Sequence, residues 1–427
     1  MNKPIKVLIA GAGFAGLNAA KALGNKPDFA VTVLDRENHH LFQPLLYQVA
    51  MAALSPADIA APIRSILSRY RNVRVLQATA RTVDLAERAV LTDAGRFDYD
   101  YLLLACGARH AYFGHEEWET WAPGLKTLPQ ATEIRRRVLQ AFESAERETD
   151  PDRQRQWLTF AIVGGGPTGV ELAGAIGEMS RYTLARDFRH IDPRQSRVVL
   201  IEAGPRILPG FAPDLSARAV RDLVSLGVEV RTSSMVTHID AEGLRIGDHG
   251  IPSHTVLWAA GVRAAEVVLR PEVERDKAGR IVVSPDLSLE GHREVFIAGD
   301  LAHVVDEQTR RVLPGVSQTA IQGGQHFARM LRRDLEGAPR EAFHYRDLGQ
   351  MATIGRSRAL AEIGRVRFGG AFAWWFWLLV HIYALIGFRN RLSVFVQWAW
   401  SYVTFTRGAR LIVSPEWREY TGRERER

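Results

Sequence analysis

Two short runs place glycines and a carboxylate at spacings suited to holding phosphates. In residues 6–16 an apolar stretch leads into Gly11, Gly13 and Gly16; in residues 159–169 another leads into Gly164, Gly166 and Gly169. Both spell G-x-G-x-x-G between a strand and a helix. The first glycine permits a tight turn, and the second removes a side chain that would hold a pyrophosphate off the backbone. The third lets the helix pack close to the strand. The helix then offers unpaired N–H groups and the positive end of its dipole to the phosphates. After each helix comes a second apolar strand ending in an acid, residues 31–34 in Asp35 and residues 198–201 in Glu202. A carboxylate there pairs with ribose hydroxyls. At Glu202 it would also repel a 2′-phosphate, so NADH is expected over NADPH, with nearby Arg206 weakening that preference. Two copies of strand, glycine loop, helix, strand and acid point to two dinucleotide-binding domains.

Further residues stand out singly. Residues 294–298 read as a strand ending in Gly299-Asp300, which brings the chain back to the first domain with a second carboxylate. Glu171 follows the second glycine loop, where the dipole of a first helical turn stabilises an acid whatever else it does. Gln318 and Gln322, four apart after Pro314-Gly315, put two amides on one helix face; an exposed polar pair is the lesser alternative. His39-His40 has no cysteine, HExxH pattern or second cluster beside it, so no metal is expected. Cys106 is the only cysteine, which rules out an intrachain disulfide and a redox dithiol.

The elements positioning these residues follow from length and pattern. The 427 residues leave room for two or three domains, and 46% hydrophobic with 24% charged residues is a globular balance. The net charge of +7 rests mostly on arginine and suits anionic partners, either nucleotides or a membrane surface. Nucleic acid is not expected, since basic clusters interleaved with aromatics are missing outside the tail. No apolar leader precedes the first strand, which predicts the cytoplasmic side. Helices are predicted at residues 17–23, 55–70, 131–148, 170–179 and 215–226. Residues 73–76 and 81–91 read as a β-meander around a Gly95 turn, and a hairpin region is expected from residue 280.

The tail is apolar. Residues 371–388 carry no formal charge, contain Trp374, Trp375 and Trp377, and just reach the length of a membrane-span candidate. In residues 392–405 the polar side chains Ser393, Gln397, Ser401 and Thr404 fall on one narrow stripe. A transmembrane hairpin would drag Arg389-Asn390-Arg391 across the bilayer. Two in-plane helices keep those arginines, with Arg407 and Arg410, among head groups and the tryptophans at the apolar boundary, and this arrangement is expected. A single span, a dimer interface or a buried core helix are the alternatives.

Taken together, these residues resemble the type II (single-subunit, non-proton-pumping) NADH:quinone oxidoreductases, flavoprotein reductases with two dinucleotide domains. The resemblance runs through Gly11 to Gly16 with Asp35, residues 38–50, Tyr112-Phe113-Gly114, and residues 122–127, 164–171, 202–209, 258–261, 297–300 and 385–392. Ser317-Gln318-Thr319-Ala320-Ile321-Gln322 is similar to the family's A-Q-x-A-x-Q quinone motif with serine in first place, and Cys106 stands where A-T-G is common. The implied fold is α/β, with two Rossmann-like FAD/NAD(P)-binding domains, the second inserted in the first, plus a C-terminal membrane-associating helical region. Residues 1–110 and 279–335 would hold FAD, 111–154 would connect, 155–278 would hold NADH, and 336–427 would anchor.

The implied cofactor contacts are Gly11, Gly13, Gly16, Asp35, Gly107, Gly164, Gly166, Gly169, Glu202, Gly261 and Asp300, with the nicotinamide C4 against flavin N5. Glu171 would relay protons, and Gln318 and Gln322 would lie beside a quinone, which gains two electrons and two protons. Ubiquinone or menaquinone, the cytoplasmic face of the inner (plasma) membrane, and a homodimer are the implied partners and setting. Disulfide reductases and sulfide:quinone oxidoreductases of this architecture need cysteines that the chain lacks. A ferredoxin-type reductase or a non-enzymatic NADH-responsive flavoprotein is the remaining alternative.

Overall fold

The computed structural model describes residues 3–307, 309–386, 388–404 and 409–413, without the side chains of 388, 389 and 401–403. The chain forms two compact units, each assembled from separated stretches. The first comprises Met1–Leu41, Ala60–Ala111 and Val262–Leu348; the second comprises Phe42–Ile59, Tyr112–Gly261 and Gly349–Arg427.

The first unit is built on a six-stranded sheet in the order Ser288–Leu289, His292–Ile297, Tyr101–Leu104, Ile5–Ala10, Phe29–Asp35, Val73–Gln77. Apart from the antiparallel edge pair Ser288–Leu289 with His292–Ile297, its neighbours run parallel. Val7, Leu8, Ile9 and Ala10 are buried, the unbroken apolar run expected of a strand covered on both faces. Burial of each large side chain there contributes about 1.5–3 kcal/mol. The return strand, His292–Ile297, pairs with Tyr101–Leu104, and this sets Asp300 at the same sheet end as the glycine loop.

Some local expectations are corrected. Val73–Gln77 joins the parallel sheet, and the meander is made by Ala80–Asp84, Ala89–Thr92 and Gly95–Asp98. The helix expected over 55–70 is broken into Pro56–Ile59 and Ile63–Leu67 by a strand, Ala60–Pro62, paired with His39–Leu41. Pro62 lacks the N–H a continuous helix would need. The hairpin expected from residue 280 is made by Ser288–Leu289 and His292–Ile297, while Ile281–Val282 pairs in parallel with Ala302–His303.

In the second unit a parallel sheet runs in the order Val228–Arg231, Arg197–Ile201, Thr159–Val163, Thr255–Trp258. Leu128–Arg147 starts earlier than its apolar periodicity suggests because Thr127 and Gln130 form a capping box with proline in the first turn. Residues 112–154 thus belong to this unit, while the first unit resumes at Val262, where Val262–Ala264 pairs with Ala108–His110. A three-stranded antiparallel sheet, Gln350–Gly355, Arg358–Ile363 and Val366–Gly369, lies against the helix Pro167–Glu178. Gly174 makes that approach feasible, since a Cβ there would stand 1.7 Å from the Ile354 carbonyl oxygen.

Two helices, Ala371–Ala384 and Phe388–Thr404, complete the described part of this unit. The first has 14 residues, about 21 Å at the α-helical rise, short of a ~30 Å hydrocarbon core. Among the described residues no helix is long and apolar enough to cross a membrane, which removes the single-span alternative for them. The helix ends at Leu385, where Arg391 donates from Nε to the Leu385 carbonyl and from Nη2 to that of Tyr383, both at 2.7 Å.

Two residues of the polar stripe face protein. Ser393 Oγ donates to Asp58 Oδ1 (3.0 Å), and Gln397 Nε2 to Asp58 Oδ2 (3.2 Å). Arg391 and Arg410, expected among head groups, have protein partners, Arg410 pairing with Asp187. Phe405 and Arg407 lie outside the described residues, as do the side chains of Arg389 and Ser401.

Candidate active site

The two glycine loops repeat one geometry. Gly11 has φ +103° and Gly164 φ +110°, and a Cβ on either would meet backbone, at 2.3 Å from the Ala105 oxygen and 2.5 Å from Ala259. The third glycines are as constrained: a Cβ on Gly16 or Gly169 would sit 1.8 Å from the carbonyl oxygen of Gly11 or Gly164. The middle glycines differ. Around Gly13 and Gly166 the missing Cβ faces open space with no atom within 4 Å. Both cap a helix without any side-chain hydrogen bond to its first N–H groups. An open cradle at a helix N-terminus fits a pyrophosphate in each unit.

The acids grip the loops. Ala12 N–H donates to Asp35 Oδ2 at 2.6 Å, and Gly165 N–H donates to Glu202 Oε2 at 2.6 Å. Burial pushes the Asp35 carboxyl above its ordinary range, with the Ala12 and Glu37 N–H groups opposing the shift. Glu202 Oε1 also accepts from Gly204 N–H at 2.6 Å. Arg206 spends its guanidinium on protein, donating to the Phe211 and Pro209 carbonyls at 2.7 Å each.

In the first unit Asp300 opens onto a cavity also lined by Gly299, Pro314, Gly315, Thr319 and Phe343. His40, 3% exposed, sits on the glycine loop with Nδ1 2.9 Å from the Ala12 oxygen. Its Nε2 is buried without a protein partner, and burial lowers its pKa to about 4. The neutral ring therefore donates to Ala12 and presents a bare acceptor, which suits a hydroxyl-bearing ligand. Gly107 (φ +73°) follows Cys106, whose thiol burial pushes up to about 12, making it a poor nucleophile. Gly261 lies against the Phe113 ring in the second unit.

Gln318 and Gln322 share one face of the helix Ser317–Leu335, as their spacing predicts. Gln318 Oε1 accepts from Leu348 N–H (3.1 Å) and Tyr345 Oη (3.3 Å). Gln322 pairs both ways with Arg346, donating to its carbonyl and accepting from its N–H at 2.9 Å. Both amides therefore also hold the 345–348 segment.

Glu171, in the first turn of Pro167–Glu178, belongs to the second unit. The residue keeps some solvent contact, yet the protein atoms packed about its carboxyl push its pKa up to about 8, the Thr353 N–H opposing. Its charge reaches Tyr47, whose phenol burial also raises. Tyr47 Oη lies 2.9 Å from Thr353 Oγ1 and accepts from Gln48 Nε2 at 3.0 Å; Trp398 Nε1 donates to Gln48 Oε1 at 2.6 Å. Sequence reasoning missed this cluster because its members are about 300 residues apart along the chain (Tyr47 and Thr353 by 306, Gln48 and Trp398 by 350).

Fold and site define a pyridine-nucleotide oxidoreductase with two dinucleotide cradles and no dithiol. Residues 5–324 match the family described as pyridine nucleotide-disulphide oxidoreductase, and residues 348–407 match the NDH2 C-terminal domain. The type II NADH:quinone oxidoreductase Ndh of Mycobacterium tuberculosis is 42% identical over 419 residues, covering 94% of this chain and 89% of that protein. The type II NADH:quinone oxidoreductase NdhA of the same organism is 43% identical over 427 residues, covering 96% of this chain and 89% of that protein. The NDH2 structure from Plasmodium falciparum superposes with TM-score 0.87 at 18% identity, covering 96% of this chain and all of that one. The chain belongs to the type II NADH:quinone oxidoreductases, enzymes that oxidise NADH and reduce a quinone.

Proposed function

We propose that the chain works as a flavoenzyme at a membrane surface, without moving protons across it. FAD fits the first unit, held by Gly11, Gly13, Gly16, Asp35, Gly107 and Asp300, and NADH fits the second, held by Gly164, Gly166, Gly169, Glu202 and Gly261. The observation that carries this reading is the duplicated cradle, open at both middle glycines and gripped by an acid in each unit. Bound FAD supplies the redox chemistry, taking a hydride from NADH and passing two electrons to the quinone.

The chain's own residues bind, orient and handle the proton. Glu202 recognises the ribose diol of NADH. Reduction of a quinone to its hydroquinone by NADH consumes one proton beyond the hydride. Glu171, protonated below about pH 8, is the group suited to hold it. Gln318 and Gln322 orient the quinone. Cys106 takes no part, which separates this enzyme from sulfide and disulfide chemistry.

The tail supports a peripheral site on the cytoplasmic face of the inner (plasma) membrane. Its helices turn polar groups inward to Asp58 and Gln48 and expose Phe372, Trp375, Leu379, Tyr383, Phe395 and Trp400. Such an inverted amphipathic surface is stable in an apolar boundary and costly in water. Ubiquinone or menaquinone, dissolved in the same bilayer, is the acceptor, and a homodimer is compatible with the reading.

The experiment is rapid mixing. Gln318→Ala is expected to slow reoxidation by quinone at least ~10-fold while the NADH half-reaction proceeds. Both half-reactions at full rate would remove Gln318 from the quinone site.

A further inference from the structure

We propose that Gln48 and Trp398 are positioning residues: they aim the Tyr47 hydroxyl hydrogen at the Thr353 and Glu171 side, so that the seating of the last helix governs the proton on Glu171. The proposal rests on the reading of Glu171 as the proton-holding group in quinone reduction.

The direction of the chain follows from donor chemistry. An indole N–H can only donate, and Trp398 spends it on Gln48 Oε1 at 2.6 Å. That contact fixes which end of the Gln48 amide is which, because the opposite flip would set N–H against N–H. The NH2 end therefore faces Tyr47 Oη at 3.0 Å, and an NH2 group only donates. The phenol oxygen accepts there, so its own hydrogen is left for its other neighbour, Thr353 Oγ1 at 2.9 Å. Gln48 and Thr353 are 8% and 4% exposed, so water does not readily replace a lost partner.

Thr353 sits on the strand Gln350–Gly355, whose N–H at that residue also supports the Glu171 carboxylate. Tyr47 faces Glu171 from Leu46–Ala50 and Thr353 from the strand. Glu178 lies farther along its own helix, its carboxyl accepting the Arg356 N–H at 2.8 Å. A hydroxyl hydrogen aimed to this side stabilises the carboxylate; turned toward Gln48 it does not. Trp398 thus reports to Glu171 whether the helix Phe388–Thr404 is docked.

The test uses the full-length, FAD-loaded enzyme with a water-soluble short-chain quinone, measuring quinone reduction against pH. Trp398→Phe keeps an aromatic ring, though a smaller one, and deletes the N–H; Gln48→Met keeps the volume and deletes both hydrogen bonds. Each is expected to move the limb belonging to Glu171 to higher pH by roughly half a unit or more, because the carboxylate loses support. The NADH half-reaction stays at the unmodified rate. A limb that does not move in either variant overturns the proposal, as a purely structural bridge would change thermal stability but not the titration. Glu171→Gln reads the underlying assumption separately: a limb that survives this change overturns the role given to Glu171, whereas one that vanishes there yet stays fixed in Trp398→Phe overturns the relay alone.

Discussion

Glu171 behaves oppositely to an ordinary surface glutamate. Its pKa of about 8 lies above the unfolded-state value near 4.5, so the native state binds its proton more tightly. The stability this gives is complete below about pH 4.5 and is lost as pH rises through 8. Glu171→Gln is therefore expected to leave the melting temperature nearly unchanged at pH 5 and to raise it at pH 9, as scanning calorimetry at both values would read. The proposed nucleotide choice is tested at the same scale. Glu202 accepts two N–H groups from the glycine loop and its neighbour, and Arg206 is tied to carbonyls. Glu202→Ala is expected to lower kcat/KM for NADH about 10-fold or more, the worth of a hydrogen bond to a charged group. NADPH gains little, because no guanidinium is released to meet its phosphate. Steady-state rates with both nucleotides check this.

Among the elements, the helix Pro167–Glu178 does most. Its first turn carries Glu171, its N-terminus frames the second cradle, and its middle approaches Gln350–Gly355 through Gly174. A Cβ at Gly174 would overlap the Ile354 oxygen at 1.7 Å, and neither backbone can yield without shifting the strand that carries Thr353. Gly174→Ala is expected to cost about 1–3 kcal/mol or more by overpacking, seen as a lower denaturation midpoint. Quinone reduction should suffer more than the NADH half-reaction, since the displaced strand serves Glu171.

At the scale of the whole molecule, the proposed membrane contact rests on the exposed apolar side chains of the tail. Replacing the exposed Phe372, Trp375 and Tyr383 with serine removes apolar area without touching the Asp58 and Gln48 contacts. The variant is expected to float poorly with anionic lipid vesicles yet still oxidise NADH with a water-soluble quinone. Flotation equal to the unmodified protein would show that other residues hold the membrane.

The sequence by itself determined what is local and repeated. The two glycine loops, the acids at Asp35 and Glu202, and the helix under Gln318 and Gln322 were legible, because a phosphate cradle needs fixed residue types within one strand–turn–helix unit. Only the tertiary structure decided which way the tail's polar stripe turns, since period fixes a helix's faces but not what each meets. It also decided that Arg206 is spent on carbonyls, and that Tyr47, Thr353 and Trp398 gather beside Glu171. The expected helix over 55–70 failed for the same reason: a long-range pairing of Ala60–Pro62 with His39–Leu41 outweighed a local preference. Contacts between residues far apart in the chain leave no periodic trace, and the burial that lifts the Glu171 pKa is made of them.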